Sequence, residues 1–120
     1  SGIFPKRFVD YVYYKLTHPQ VHKLRPHEEG VIAKADKERI QFNDFDIQLY
    51  EWKAGLQKVM LIHGWEGQAG NFADLIDKLV AKNITVLAFD GPSHGNSSTG
   101  KGETSLFEFA ELVGVLVEHF

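Results

Sequence analysis

Two apolar runs constrain this 120-residue chain more than anything else in it. "KVMLIHG" at residues 58–64 carries four consecutive apolar residues, and "ITVLAFD" at residues 84–90 is a second such run. Runs this short and this apolar read as strands buried on both faces, which belong to parallel sheets covered by helices. Between them Asn71 is placed to cap a helix. Phe72, Leu75, Ile76, Leu79 and Val80 recur there at helical spacing, with Asp74 in the capping-box position. After the second run, Ser105-x-x-Glu108 opens another helix, striped by Leu106, Phe109, Ala110, Val113, Leu116, Val117 and Phe120. Leu112 and Val115 fall outside the stripe, so this helix is expected to be well buried. Strand, helix, strand, helix with short joins predicts an α/β architecture with right-handed crossovers.

Upstream the pattern differs. "FDIQLYEW" alternates, with Ile47, Leu49 and Glu51 on one face and Asp46, Gln48, Tyr50 and Trp52 on the other. With residues 40–42 across Asn43-Asp44 it predicts an antiparallel hairpin. "GVIAKA" at residues 30–35 also reads as strand material, and residues 20–30 as a polar, proline-broken linker. Residues 4–16 read as a helix, with Phe4, Phe8, Val12 and Leu16 every four residues and His18-Pro19 closing it. The favoured expectation is that it packs its aromatic face on the body of the protein. A membrane-surface role is the alternative, weakened by the few cations. Residues 1–30 are thus an N-terminal helix and linker, and residues 31–120 the main body.

Bulk properties exclude several functions. The net charge of −3 offers no basic footprint for nucleic acid, and the absence of cysteine rules out disulfides, thiolate metal sites and cysteine nucleophiles. It is compatible with a reducing compartment, and a cytoplasmic location is the expectation. No apolar run reaches the roughly 18 residues of a membrane span. The six histidines are scattered without ligand spacing, so neither a metal nor an organic cofactor is implied. His18, His22 and His27 read as solvated.

Ligands of a parallel sheet bind at the carboxyl ends of its strands. Those ends carry His63-Gly64-Trp65 and Asp90-Gly91-Pro92-Ser93-His94-Gly95. Gly95 and Gly100-Lys101 match most of a phosphate-binding loop. The next residue, however, is Gly102, which has no hydroxyl for Mg²⁺, and no buried strand ending in an acid follows. A nucleotide site is therefore not expected, and Lys101 and Glu103 read as solvated charges. Ser93-His94 is not expected to be a nucleophile–base pair, since adjacent side chains diverge and no G-x-S-x-G surrounds Ser93.

A strand ending in Asp90, followed by His94, Gly95 and Ser97, resembles the D-x-x-G-H-G-x-S turn of the α/β-hydrolase superfamily. Pro92-Ser93 stands where many members have Pro-Gly. "LIHGW" resembles that family's His-Gly oxyanion loop, and the preceding hairpin with its "YEW" is similar too. The resemblance covers about residues 38–120. It implies a three-layer sandwich, here the N-terminal part of an α/β-hydrolase sheet with an extra N-terminal helix. It implies that the backbone N–H of Trp65 is one oxyanion donor, with Gly64 allowing close approach and His63 bracing the loop. Asp90, His94, Gly95 and Ser97 are expected to shape a structural turn.

The family's nucleophile, acid and base all lie beyond the last helix here, and no G-x-S-x-G occurs in the chain. The expectation is an N-terminal half, cut off after that helix. Its parent would be a serine hydrolase of small-molecule carboxylic ester or acyl substrates; the alternative is a non-catalytic binding or interaction module. Glu66, where dehalogenases and epoxide hydrolases usually carry proline, argues against an Asp nucleophile. The strand at residues 58–61 would be left with an open edge, expected to pair with the missing C-terminal half or with another copy.

Overall fold

The computed structural model describes residues 6–98 and 104–120. Lys101 and Glu103 lie outside the described residues, as does Phe4. The element order is α1 (Lys6–Thr17), α2 (Pro26–Ala33), β1 (Asp36–Phe42), β2 (Phe45–Trp52), β3 (Lys58–Leu61), α3 (Ala73–Ala81), β4 (Thr85–Phe89) and α4 (Leu106–His119), with a 3-10 turn at Ala69–Phe72.

The hairpin forms at its two-residue turn. Phe42 pairs with Phe45 and Asp36 with Glu51, and Asn43 takes the positive φ that a tight turn requires. β4 then pairs antiparallel with β2 and parallel with β3, giving the order β1-β2-β4-β3. Each sheet face has its own core. Tyr50, Trp52, Val86 and Ala88 pack under α2 and α3 with Val31, Ile32 and Ile76. Ile47, Leu49 and Phe89 pack on the opposite face, under α4, with Phe109, Leu112 and Leu116. The result is a three-layer α/β sandwich, and the alternation read along β2 assigns its two faces correctly.

Every residue of β4 is buried, whereas β3 is only partly so, because β3 is an edge strand with no neighbour on its far side among the described residues. Met60 and Leu61 sit opposite Leu87 and Ala88, one feeding each core.

Four local expectations are corrected. "GVIAKA" is not a strand: Val31 and Ile32 lie in α2, which starts at Pro26. Proline suits the first helical turn, where its missing N–H would have no partner, and Glu28 Oε1 accepts the Arg25 N–H at 2.8 Å. The indole Nε1 of Trp52 donates to Val31 O at 2.9 Å and ties this helix to the sheet. Asn71 does not cap α3, since its Oδ1 accepts from Gln68 N at 2.9 Å and closes the 3-10 turn before it. α4 has the expected Ser105 cap on Glu108 N but is not buried all round. Its inner line is Phe109, Leu112 and Leu116, while Leu106, Phe107 and Val117 are exposed. Finally, the described part of the α1 stripe does not pack on the body, Val12 alone in it being half-buried; Phe4 and the Phe8 side chain lie outside the described residues. Val9, Tyr11, Tyr13, Tyr14 and Leu16 are each at least half exposed, and the helix is held at its last turn, where Thr17 O accepts from Thr104 N.

No helix among the described residues is long and apolar enough to cross a membrane.

Candidate functional site

The loop after β3 turns on a hydrogen bond from Gly67 N to Gly64 O of 3.0 Å. Glu66, the third residue of this turn, has φ +67°, the arrangement of a type II turn with a side chain where glycine is favoured. His63 and Gly64 thus lead into a tight turn whose second residue is Trp65. A Cβ added at Gly64 would meet nothing within 4 Å, so that side of the loop is open.

The turn after β4 is built on Asp90, which is 1% exposed. Its Oδ1 accepts from Ala69 N at 2.8 Å, and its Oδ2 accepts from the Tyr50 hydroxyl at 2.7 Å and from Asn96 N at 2.8 Å. Burial first, then the neighbouring Asp90, pushes the Tyr50 hydroxyl well above its ordinary range, which keeps it a donor. Ser97 Oγ donates to Asp90 O and accepts from Gln48 N, while Ser98 Oγ accepts from Asp46 N. The turn therefore continues beside β2 after β4 has ended, with hydroxyls standing in for strand hydrogen bonds. Gly95 sits at φ +51°, and a Cβ there would collide with the Asp90 carboxylate. Gly95→Ala is expected to cost about 2 kcal/mol or more, from the left-handed backbone plus that clash. A urea titration checks this, and an unchanged midpoint would refute the turn geometry.

Two histidines join the loops reciprocally. His63, after β3, accepts Gly91 N from the β4 turn on Nε2 at 2.9 Å, and its Nδ1 meets Gly64 O at 2.7 Å. His94, in the β4 turn, accepts Glu66 N from the β3 loop on Nε2 at 2.9 Å, and its Nδ1 meets Pro92 O at 2.7 Å. A carbonyl only accepts, so each Nδ1 carries the proton and each Nε2 is bare. Both rings are thus neutral and in one tautomer. Burial is the main cause holding each below its ordinary 6.5, partly offset by the carbonyl on Nδ1. With both nitrogens of His94 engaged, neither is available as a base for Ser93.

Trp65 is half-buried, its indole packed on the α4-side core and edge-on to His94 at 4.9 Å. Its backbone N–H donates to no acceptor among the described residues, whereas the next two amides, Glu66 N and Gly67 N, are both taken. The planar trans peptide explains where it points. Gly64 O and Trp65 N–H lie in one plane and point in opposite directions, and Gly64 O is held by both His63 Nδ1 and Gly67 N.

A cleft lies elsewhere among the described residues. It has a volume of about 770 Å³ and lies between residues 19–24, α2 and the β4 turn, lined by Pro19, Leu24, Ile32, Lys37, Gln68 and Asn96. Among the described residues no cluster of histidine and carboxylate side chains could hold a metal ion.

Tyr50 and Asn96 were given no site role from the sequence, and Glu66 was read there only as a residue in place of proline. Tyr50 and Asn96 join Asp90 only because β2 lies against β4, which nothing local announces. Glu66 enters through its main chain, so its side chain gives no signal.

No protein-family model and no curated protein matches the chain. Solved structures do. The thioesterase domain from the curacin biosynthetic pathway superposes with a TM-score of 0.62 at 23% identity, covering 72% of this chain and 33% of that one. A chain from Acinetobacter baumannii assigned as a lipase is a weaker likeness, with TM-score 0.48 and 17% identity over 66% of this chain and 28% of its own. The chain has the α/β-hydrolase fold. It spans about a third of the length of the structures it matches.

Proposed function

We propose that this segment is the oxyanion-loop half of a serine hydrolase of carboxylic esters or related acyl substrates, acting in the cytoplasm. In this reading Trp65 N–H is one of the two donors to the oxyanion. Nucleophile, acid and base come from residues outside these 120, the nucleophile at the end of a strand added to the open edge of β3. The observation that supports the reading is the Trp65 N–H, in the loop after β3, which no acceptor among the described residues takes while the Gly64 carbonyl of the same peptide is doubly held. The likeness to a thioesterase domain fits an acyl substrate and is the basis for naming that class.

Because the donor is main-chain, Trp65→Phe in the catalytically complete protein is expected to keep most activity. Trp65→Pro removes the N–H at a turn position that tolerates proline, and is expected to lower kcat on the order of 100-fold. The reverse ranking of the two variants would refute the backbone assignment. A fluorophosphonate probe applied to the chain extended past Phe120 is expected to label one serine.

A second reading, a non-catalytic binding module, is favoured by the 770 Å³ cleft lying away from Trp65. A folded, extended protein that takes no probe would select it.

A further inference from the structure

We infer that His94 is a positioning residue for the oxyanion loop, locking the central peptide of the Gly64–Gly67 turn through the hydrogen bond it accepts from Glu66 N–H. The inference rests on the reading of Trp65 N–H as an oxyanion donor, and assigns the device that fixes the geometry of that site.

The argument begins with Glu66. A side chain in the left-handed region costs about 1–2 kcal/mol relative to the right-handed one. Type I and type II turns share the closing hydrogen bond and differ chiefly by a flip of the central peptide, which here joins Trp65 to Glu66. That flip would relieve Glu66 while keeping the Gly67 N to Gly64 O bond. What opposes it is Glu66 N–H, which in the observed orientation reaches His94 Nε2 and after a flip would point away. His94 is wholly buried, and with its Nδ1 proton on Pro92 O its lone pair can point only at this amide. The flip would leave a buried imidazole nitrogen without a donor, a cost comparable to or above the strain relieved.

The lock therefore exists in one protonation state. A proton on Nε2 replaces the acceptor with a donor, and the amide is released. The titratable groups facing this ring are Asp90 from the end of β4 and His63 and Glu66 from the β3 loop, while α4 presents the Phe109 ring and the loop the Trp65 indole. Asp90 and Glu66 favour the protonated ring; burial and His63 oppose it.

Nuclear magnetic resonance on the isotope-labelled 120-residue chain tests this. Long-range proton–nitrogen spectra should show His94 neutral with its proton on Nδ1. The Glu66 amide proton shift should follow the titration of the His94 ring. His94→Leu should raise Glu66 amide exchange by about tenfold or more and move residue 66 shifts toward the right-handed region. His94→Gln, which restores an acceptor, should stay near the parent. The Gly91 amide, held by His63, is the internal control and should not change. An Nε2-protonated tautomer, a Glu66 amide blind to the ring's titration, or unchanged exchange in a folded His94→Leu would each overturn the inference. If His94→Leu does not fold, the tautomer and the titration decide. A labelled serine with a free Glu66 amide would sink only this inference; a locked amide with no reactive serine would sink only the proposed function.

Discussion

Asp90→Ala is expected to lower the unfolding free energy by about 3–5 kcal/mol, the largest loss from any single side chain in the strand-end turns. The carboxylate is buried and accepts from Tyr50, Ala69 and Asn96. Removing it leaves three donors facing a void that water reaches poorly, and an unsatisfied buried donor costs about 1–3 kcal/mol. Two controls grade the effect. Asp90→Asn keeps one acceptor oxygen but sets an NH2 group against a donor, so its loss should fall below that of alanine. Tyr50→Phe deletes the donor to Asp90 and the acceptor of one Asn96 Nδ2 proton, and should cost about 1–2 kcal/mol, below the alanine variant. Chemical denaturation of the three variants tests the order. A loss below about 1 kcal/mol for Asp90→Ala would mean that the turn is held by its serine hydroxyls instead.

Acidification is also expected to destabilise the fold, through His63 and His94. Each is held below its ordinary 6.5 in the folded chain, by burial first. The unfolded chain therefore binds protons before the folded one as pH falls. The stabilisation is complete above 6.5 and is lost as pH falls from there through the lowered folded-state values. Each histidine contributes a slope approaching about 1.4 kcal/mol per pH unit within that window, so the pair approaches about 2.7. The window opens above the range in which ordinary carboxylates titrate, which separates the effect from general acid denaturation. Urea midpoints from pH 8 to pH 5 should fall steeply below 6.5 in the parent chain and flatten in a His63→Gln, His94→Gln double variant. A parent chain equally stable at both ends of that range would contradict the reciprocal histidine geometry.

Both predictions depend on contacts between the β3 and β4 loops, and this is where reading the sequence reached its limit. His63 and His94 are visible as members of two glycine-containing loops. That each takes a main-chain N–H from the other's loop depends on the parallel pairing of Val59 with Val86 and Leu61 with Ala88, which brings the strand ends level. The misread α2 has a different cause. Pro26 breaks a helix that is already running and favours one that is starting, and choosing between them required the contact of Val31 and Ile32 with Trp52. The excess burial expected of α4 came from counting apolar residues without knowing how much sheet lay beneath. Phe109, Leu112 and Leu116 meet the sheet with Val113 partly buried beside them, while Leu106, Phe107, Val115 and Val117 remain exposed.

The amino-acid sequence alone determined the elements whose signals are local: the two-residue hairpin, the alternating β2, the apolar β3 and β4 runs, the Ser105 cap and the glycine-containing loops at the strand ends. These follow from backbone sterics and periodicity over a few residues. Only the tertiary structure decided the burial of Asp90 against Tyr50, the exposure of Tyr11, Tyr13 and Tyr14 on α1 and the crossed histidine bonds. Those contacts join residues tens of positions apart, and their energy exists only once the sheet order has brought them together.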